Sequence, residues 1–227
     1  MHLLLPLVLV LALVFGPGWW VRKVMSRYSS PADRYDGSGG ELARHLLDGL
    51  DLQSVKVEET TKGDHYDPQE KVIRLTAENL NGRSLTAVTV AAHEVGHALQ
   101  DASGYAPLKI RSQLIALTQP IQKLGAGILM AAPFIGMLTR APMISLLMIL
   151  GGFMSLGATT LVHLVTLPTE LDASFKRALP MLEKGEILKP VDLPHARRLL
   201  TAAALTYLSA SLASLLNIAR WWSLLRR

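Results

Sequence analysis

Residues 2–21, HLLLPLVLVLALVFGPGWWV, form an almost unbroken apolar run. At 1.5 Å per residue a helix of this length can cross the ~30 Å hydrocarbon core of a bilayer. The run lacks the basic start and small-residue cleavage site of a signal peptide. Trp19 and Trp20, followed by Arg22, Lys23 and Arg27, instead read as an interfacial belt and a stop. An uncleaved anchor is expected over 1–23. The pattern then turns polar. Behind Ser38, Leu42, Leu46, Leu47 and Leu50 recur at helical spacing, and Glu41 completes a capping box. The stretches SVKVEET (54–60) and EKVIRLT (70–76) alternate apolar and polar residues, as half-buried strands do. Between them TKGDHYDPQ is rich in turn formers. Ser84 is placed to cap a helix carrying VAAHEVGHALQ, and APLKIRSQLIAL predicts another helix from Pro107.

From Leu124 the apolar character returns. LGAGILMAAPFIGML (124–138) is short for a membrane span and is closed by Arg140, whereas 142–167 is long and carries small residues suited to helix packing. A charged stretch over 168–198 follows, and 199–222 is a last apolar segment ending in a tryptophan pair. The expected organisation is therefore an anchor (1–23), a polar region (24–123), two transmembrane helices (124–167), a second polar segment (168–198) and a membrane-associated C-terminal helix (199–227). The expected fold class is mainly α, with membrane helices around a small α+β core.

Composition sharpens this. Of 227 residues 50% are hydrophobic but only 6% aromatic, and mean hydropathy is +0.29, an unusual pairing for a soluble domain. A net charge of +5 would raise nucleic acid as a partner in a soluble protein. Here Arg22, Lys23, Arg27, Lys109, Arg111 and Lys123, with Lys176, Arg177, Arg197 and Arg198, flank the expected spans on one side. The positive-inside rule makes that side cytoplasmic, in a multi-pass protein of the plasma membrane, and no nucleic-acid partner is expected. Arg220, Arg226 and Arg227 oppose a full crossing by the last segment. The absence of cysteine excludes disulfides, thiolate metal ligands and a cysteine nucleophile.

The chemistry concentrates in HEVGH. Residues four apart on a helix share a face, so His93 and His97 can offer nitrogens to one metal ion, and zinc takes such ligands at about 2.0–2.1 Å. Zinc lowers the pKa of a water it holds to about 7, and Glu94, next to the first histidine, is placed to accept that proton. Gly96 costs a helix interior about 1 kcal/mol relative to alanine, which points to close packing behind the motif. A catalytic zinc needs a third protein ligand. Candidates are His65, Asp101, His163, Glu170 and Asp172. Glu170 is favoured because LPTELDAS lies where the chain leaves the 142–167 span, on the side of HEVGH, in the first turn of a helix expected after Pro168. Asp172 could support a ligating histidine, and His65 or Tyr66 could donate to an oxyanion.

Together DHYDPQEKVIRLT, NGRSLTAVTVAAHEVGHALQDASGYAPLKIRSQL and LPTELDASFKRAL resemble the neutral zinc metallopeptidases of the YugP type, bacterial integral membrane proteins. The resemblance covers nearly the whole chain. It implies a zincin-like core fused to membrane helices, with His93, His97 and Glu170 as zinc ligands and Glu94 as general base. In related membrane peptidases an acidic residue often stands four positions after the ligating glutamate; here that position is Ser174. The resemblance also gives KVIRL a role, either as an edge strand that pairs with an extended substrate or as a strand that only completes a small sheet, while proximity to the bilayer suggests peptide or membrane-protein substrates and contact with membrane lipid. Two other readings compete: an inactive zinc-binding membrane scaffold or chaperone, and a transporter using His163 and Glu170 in an ion path.

Overall fold

The computed structural model describes residues 4–139, 142–185, 187–206 and Ser209. Several side chains of the apolar helices, His163 among them, lie outside the described residues. The chain divides into two compact units. One joins Gly18–Lys109 to Leu167–Thr206; the other joins Met1–Pro17, Ile110–Thr166 and Tyr207–Arg227.

The first unit is built around a helix that is buried on every side. Helix α1 (Leu4–Tyr28) leads into it, and α2 (Gly39–Gly49) follows behind the expected capping box. In that box the Glu41 amide donates to Ser38 Oγ at 3.2 Å and the Ser38 amide to Glu41 Oε2 at 2.8 Å. Strands β1 (Lys56–Glu59), β2 (His65–Asp67) and β3 (Val72–Leu75) form one sheet in the order β1-β3-β2. β3 runs parallel to β1 and antiparallel to β2. The tight return from β2 to β3 is shaped by Asp67, whose Oδ1 accepts from the Gln69 amide at 2.9 Å, and by Lys71, which adopts a left-handed φ of 54°. A short helix α3 (Ala77–Asn81) leads to α4 (Leu85–Ala102), capped by Ser84 Oγ, which accepts from the Ala87 amide at 3.1 Å.

Of the 18 residues of α4, 15 are buried. One side meets Ala43 and Leu47 of α2 and Ile73 and Leu75 of β3. Another meets Val21 and Val24 of α1, Leu179, Leu182, and Leu199 and Leu200 of a final helix, α8, over 193–206. Alanines at 87, 91, 92 and 98 let these neighbours approach, and a helix apolar all round belongs in a core. Burial of α4 on all sides fixes the orientation of whatever polar groups it carries.

α5 (Ala106–Thr139) and α6 (Pro142–Leu171) supply most of the second unit. The separate segments expected before and after 120 are one helix of 34 residues. Nor does a new helix start at Pro168: α6 runs through that proline to Leu171 and passes directly into a π-helical segment, Asp172–Ala178, then α7 (Leu179–Lys184). Among the described residues no helix is long and apolar enough to cross a membrane. The segment expected as a membrane-associated helix over 199–227 begins instead inside the first unit, with Leu199, Leu200, Ala202 and Ala204 fully buried. Nearly all of its remainder lies outside the described residues. The observed class is thus mainly helical with a small three-stranded sheet. The turn expected at 61–69 contains the strand β2, because Tyr66 pairs with Ile73 across the return.

Candidate metal centre

α4 places His93 and His97 one turn apart, with ring centroids 4.8 Å from each other. The end of α6 brings Glu170 against both. Glu170 Oε2 lies 3.2 Å from His93 Nε2 and 3.3 Å from His97 Nε2. All three side chains are buried, and they are a group that could hold a metal ion.

A hydrogen-bonding partner stands on the far side of each ring. Ser174 Oγ lies 3.1 Å from the Leu200 carbonyl, to which it can donate, and 3.0 Å from His93 Nδ1; when its proton goes to the carbonyl it accepts from the ring. Gln100 Nε2 lies 2.8 Å from both the Thr169 carbonyl and Asp172 Oδ2, two acceptors, so this end of the amide is the NH₂. Its Oε1 therefore faces His97 Nδ1 at 2.9 Å and accepts from it. His97 thus carries its proton on Nδ1, as does His93 when Ser174 donates to the Leu200 carbonyl, and in that arrangement both Nε2 atoms turn a lone pair toward Glu170 Oε2. Three electron-pair donors converge with no proton between them. A single protonated histidine would leave the other imidazole's lone pair facing the same oxygen. A cation at the shared focus removes the conflict. Ligands about 2.0–2.1 Å from one tetrahedral ion sit ~3.3 Å from each other, and the two edges through Glu170 measure 3.2 and 3.3 Å. The nitrogen and carboxylate donors suit zinc.

Glu94 is buried on α4 beside His93. Gly96 shows why this part of the motif lacks a side chain. A Cβ there would meet the Ala173 carbonyl oxygen at 2.6 Å, so the π-helical segment packs its backbone directly on α4. That contact holds Glu170 and Ser174 against the two histidines.

The other candidates are placed elsewhere. His65 Nδ1 is 2.8 Å from the Gly63 carbonyl, a local turn contact. Asp101 accepts from Tyr66 Oη at 2.7 Å and pairs with Lys71. Burial and the neighbouring Asp101 carboxylate push the Tyr66 phenol well above its ordinary pKa, and its proton is already committed to Asp101. Asp172 lies one residue chain outward from the metal group. Burial acts to raise its pKa, but hydrogen bonds from Arg177 and Gln100 outweigh it and hold the carboxyl below the ordinary value. Glu170, the other member of the expected ion path, faces His93 and His97, and the His163 side chain lies outside the described residues. KVIRL is also corrected. β3 is the central strand, hydrogen-bonded on both sides, so the sheet's edges are β1 and β2. Gln100 and Ser174 were not anticipated as partners of the histidines. Their spacing was the available signal, three residues after His97 and four after Glu170.

A family described as "Putative neutral zinc metallopeptidase" matches the chain over residues 3–226. The chain is 35% identical over 216 residues to the "Putative membrane protease YugP" of Bacillus subtilis (strain 168), covering 93% of this chain and 91% of that protein. No solved structure matches the chain significantly.

Proposed function

We propose, starting from the fact that this chain belongs to that neutral zinc metallopeptidase family, that it is a membrane-attached endopeptidase with its metal held by His93, His97 and Glu170. The observation that carries the proposal is the convergence of His93, His97 and Glu170, with Glu170 Oε2 at tetrahedral-edge distance from both Nε2 atoms and Gln100 and Ser174 bonded to the rings from behind.

Three protein ligands leave a tetrahedral ion one open position, the arrangement of a catalytic rather than a structural site. A bound zinc would supply a Lewis acid that polarises a substrate carbonyl and makes a nucleophile of water at neutral pH. Glu94 is the general base: its carboxylate takes the proton from the attacking water and returns it to the departing amide nitrogen. His93 and His97 present Nε2 to the site, with Ser174 and Gln100 hydrogen-bonded at their Nδ1 atoms.

Membrane attachment is supported by apolar side chains left exposed in the second unit. Leu124, Phe134, Met137, Leu138, Met143 and Met154 are each at least 64% exposed, and exposed apolar surface on this scale marks interaction sites, a membrane among them. The similar protein from Bacillus subtilis bears the name of a membrane protease. With the basic residues flanking these helices, this favours a multi-pass protein of the plasma membrane whose metal centre faces the cytoplasm. Substrates on this reading are membrane proteins or their extruded segments.

The test measures zinc per chain in detergent-purified wild type and Glu94→Gln, with casein cleavage on the same samples. About one zinc in both and cleavage by wild type alone is the expected result. Zinc-free protein after expression with added metal would overturn the metal centre. Equal behaviour of the two proteins in every assay would favour a zinc-binding scaffold.

A further inference from the structure

The π-helical segment does something that an α-helix could not. Arg177 Nε donates to Asp172 Oδ2 at 2.8 Å, a pair five residues apart. In an α-helix five residues turn the chain through ~500°, which leaves the two side chains ~140° apart around the axis. With i→i+5 bonding the fifth residue returns to the same face. The register is visible in the backbone, where the Leu179 amide donates to the Ser174 carbonyl. Local widening of the helix thus stacks Arg177 on Asp172.

The pair is not an ornament of the surface. Asp172 is 7% exposed at its side chain and Arg177 17%. Tyr105 packs over the guanidinium with 5.5 Å from the ring centroid to Cζ. The carboxylate oxygen that Arg177 holds is the one that accepts from Gln100 Nε2 at 2.8 Å. Gln100 is fully buried, and its other end accepts from His97 Nδ1. The contacts form one line: Arg177, Asp172, Gln100, His97.

We propose that Gln100 is a positioning residue for the metal centre, and that the π-helical turn exists to anchor it through the Asp172–Arg177 pair. Without that anchor only the Thr169 carbonyl holds the Gln100 amide against turning over. Turned over, it presents NH₂ to His97 Nδ1–H, donor against donor, and the favoured tautomer moves its proton to Nε2, where it blocks the lone pair the metal needs. The anchor makes the wrong orientation costly, because it would set the amide oxygen against Asp172 and the Thr169 carbonyl, two acceptors. His93 is treated differently: its partner, Ser174, is a hydroxyl that rotates, and is fixed by the Leu200 carbonyl alone.

The inference rests on the metal-site reading above, but not on peptidase activity. It is tested by zinc competition against a chromophoric chelator on the full-length protein in detergent, with thermal midpoints of the metal-free forms alongside. Loss of such an outer partner weakens metal binding by about 10–100-fold. That loss is expected for Gln100→Met, which keeps the length of the side chain and removes the amide. Arg177→Gln, at the partly exposed far end, folds more safely and is expected to weaken zinc about 3–10-fold, as a partial loss of the same partner. Arg177→Lys should restore most of it. The double variant should bind no more weakly than Gln100→Met alone, because the line is broken once. Arg197→Gln removes an exposed ion pair with Glu183 in the same unit and should leave zinc affinity unchanged. Zinc affinity within twofold of wild type in both Gln100→Met and Arg177→Gln would overturn the proposal. So would additive losses in the double variant, or a fall in affinity for Arg197→Gln matching that for Arg177→Gln. Wild type that binds zinc but cleaves no peptide would remove the peptidase reading and leave this one standing.

Discussion

Gly96→Ala is the substitution whose cost the structure lets one work out most directly. The added methyl would lie 2.6 Å from the Ala173 carbonyl oxygen and 3.3 Å from its carbon. Cβ atoms essentially never approach within 3.0 Å, so the π-helical segment must retreat from α4 by at least 0.4 Å. The neighbour is backbone, which cannot swing aside as a side-chain tip could. Overpacking of this kind costs about 1–3 kcal/mol. Alanine in place of a helix-interior glycine returns about 1 kcal/mol. The net loss of metal-free stability is therefore modest, about 1 kcal/mol. The effect on the metal centre is larger. Metal–ligand distances tolerate about 0.2 Å of error, and a retreat of 0.4 Å carries Glu170 and Ser174 with the segment away from both histidines. Zinc affinity should fall by at least about tenfold, the scale of a disturbed outer shell. Thermal unfolding in detergent, with zinc and with chelator, separates the two effects: the metal-free midpoint shifts slightly, while the increment given by zinc shrinks by about 1.4 kcal/mol for each tenfold loss of affinity. A variant that matched wild type in zinc affinity would refute the claim that Gly96 sets the spacing between the ligand-bearing helices.

Ser174→Ala deprives His93 Nδ1–H and the Leu200 carbonyl of their common partner. It should cost about 1–3 kcal/mol of stability, read by denaturant titration, and weaken zinc in the competition assay. Tyr66→Phe tests whether that phenol stabilises an oxyanion. Because its proton is held by Asp101, kcat should change by less than about threefold, against the 10²–10³ expected on loss of an oxyanion donor. Asp192 ties the 29–38 loop to the 190–192 turn, accepting from Arg34 Nε at 2.8 Å and Tyr35 Oη at 2.6 Å. Burial works to raise its pKa, but those bonds outweigh it and depress the carboxyl. A depressed folded-state pKa contributes stability above the ordinary carboxylate value of ~3.9 that is lost as pH falls through the folded value. Asp192→Asn should therefore cost about 2 kcal/mol at pH 7, allowing for the partial exposure of Arg34, and progressively less as pH falls below about 3.9, measured as paired melting curves.

Local signals carried much of the architecture. Ser38 with Glu41, and Ser84 before an apolar run, marked the starts of α2 and α4 because capping is decided within three residues. The alternation over 54–60 and 70–76 located β1 and β3 for the same reason. What the sequence hid was pairing across distance. β2 escaped because its three residues sit among turn formers and acquire strand geometry only by bonding to β3. That third strand is also what moved KVIRL from an edge to the centre of the sheet.

At the metal group the division is the same. His93, Glu94 and His97 stand in one helix turn, so their shared face follows from helical geometry alone. Glu170 was reachable by asking where the chain returns to the side of HEVGH. Gln100 could not be read this way. Nothing about a glutamine three residues beyond a histidine distinguishes a surface amide from a buried one, and its role depends on Asp172 arriving from another helix in the right register. That register, in turn, is set by a π-helical turn that no periodicity announces, since LDASFKRAL reads equally well at 3.6 residues per turn. The two histidines are thus legible because one helix repeats itself, and the groups that orient them are not, because they come from two helices whose relative register only folding determines. Gly96 is where the two meet. Its missing side chain is visible in the sequence, and the backbone it admits is what sets Asp172 within reach of Gln100.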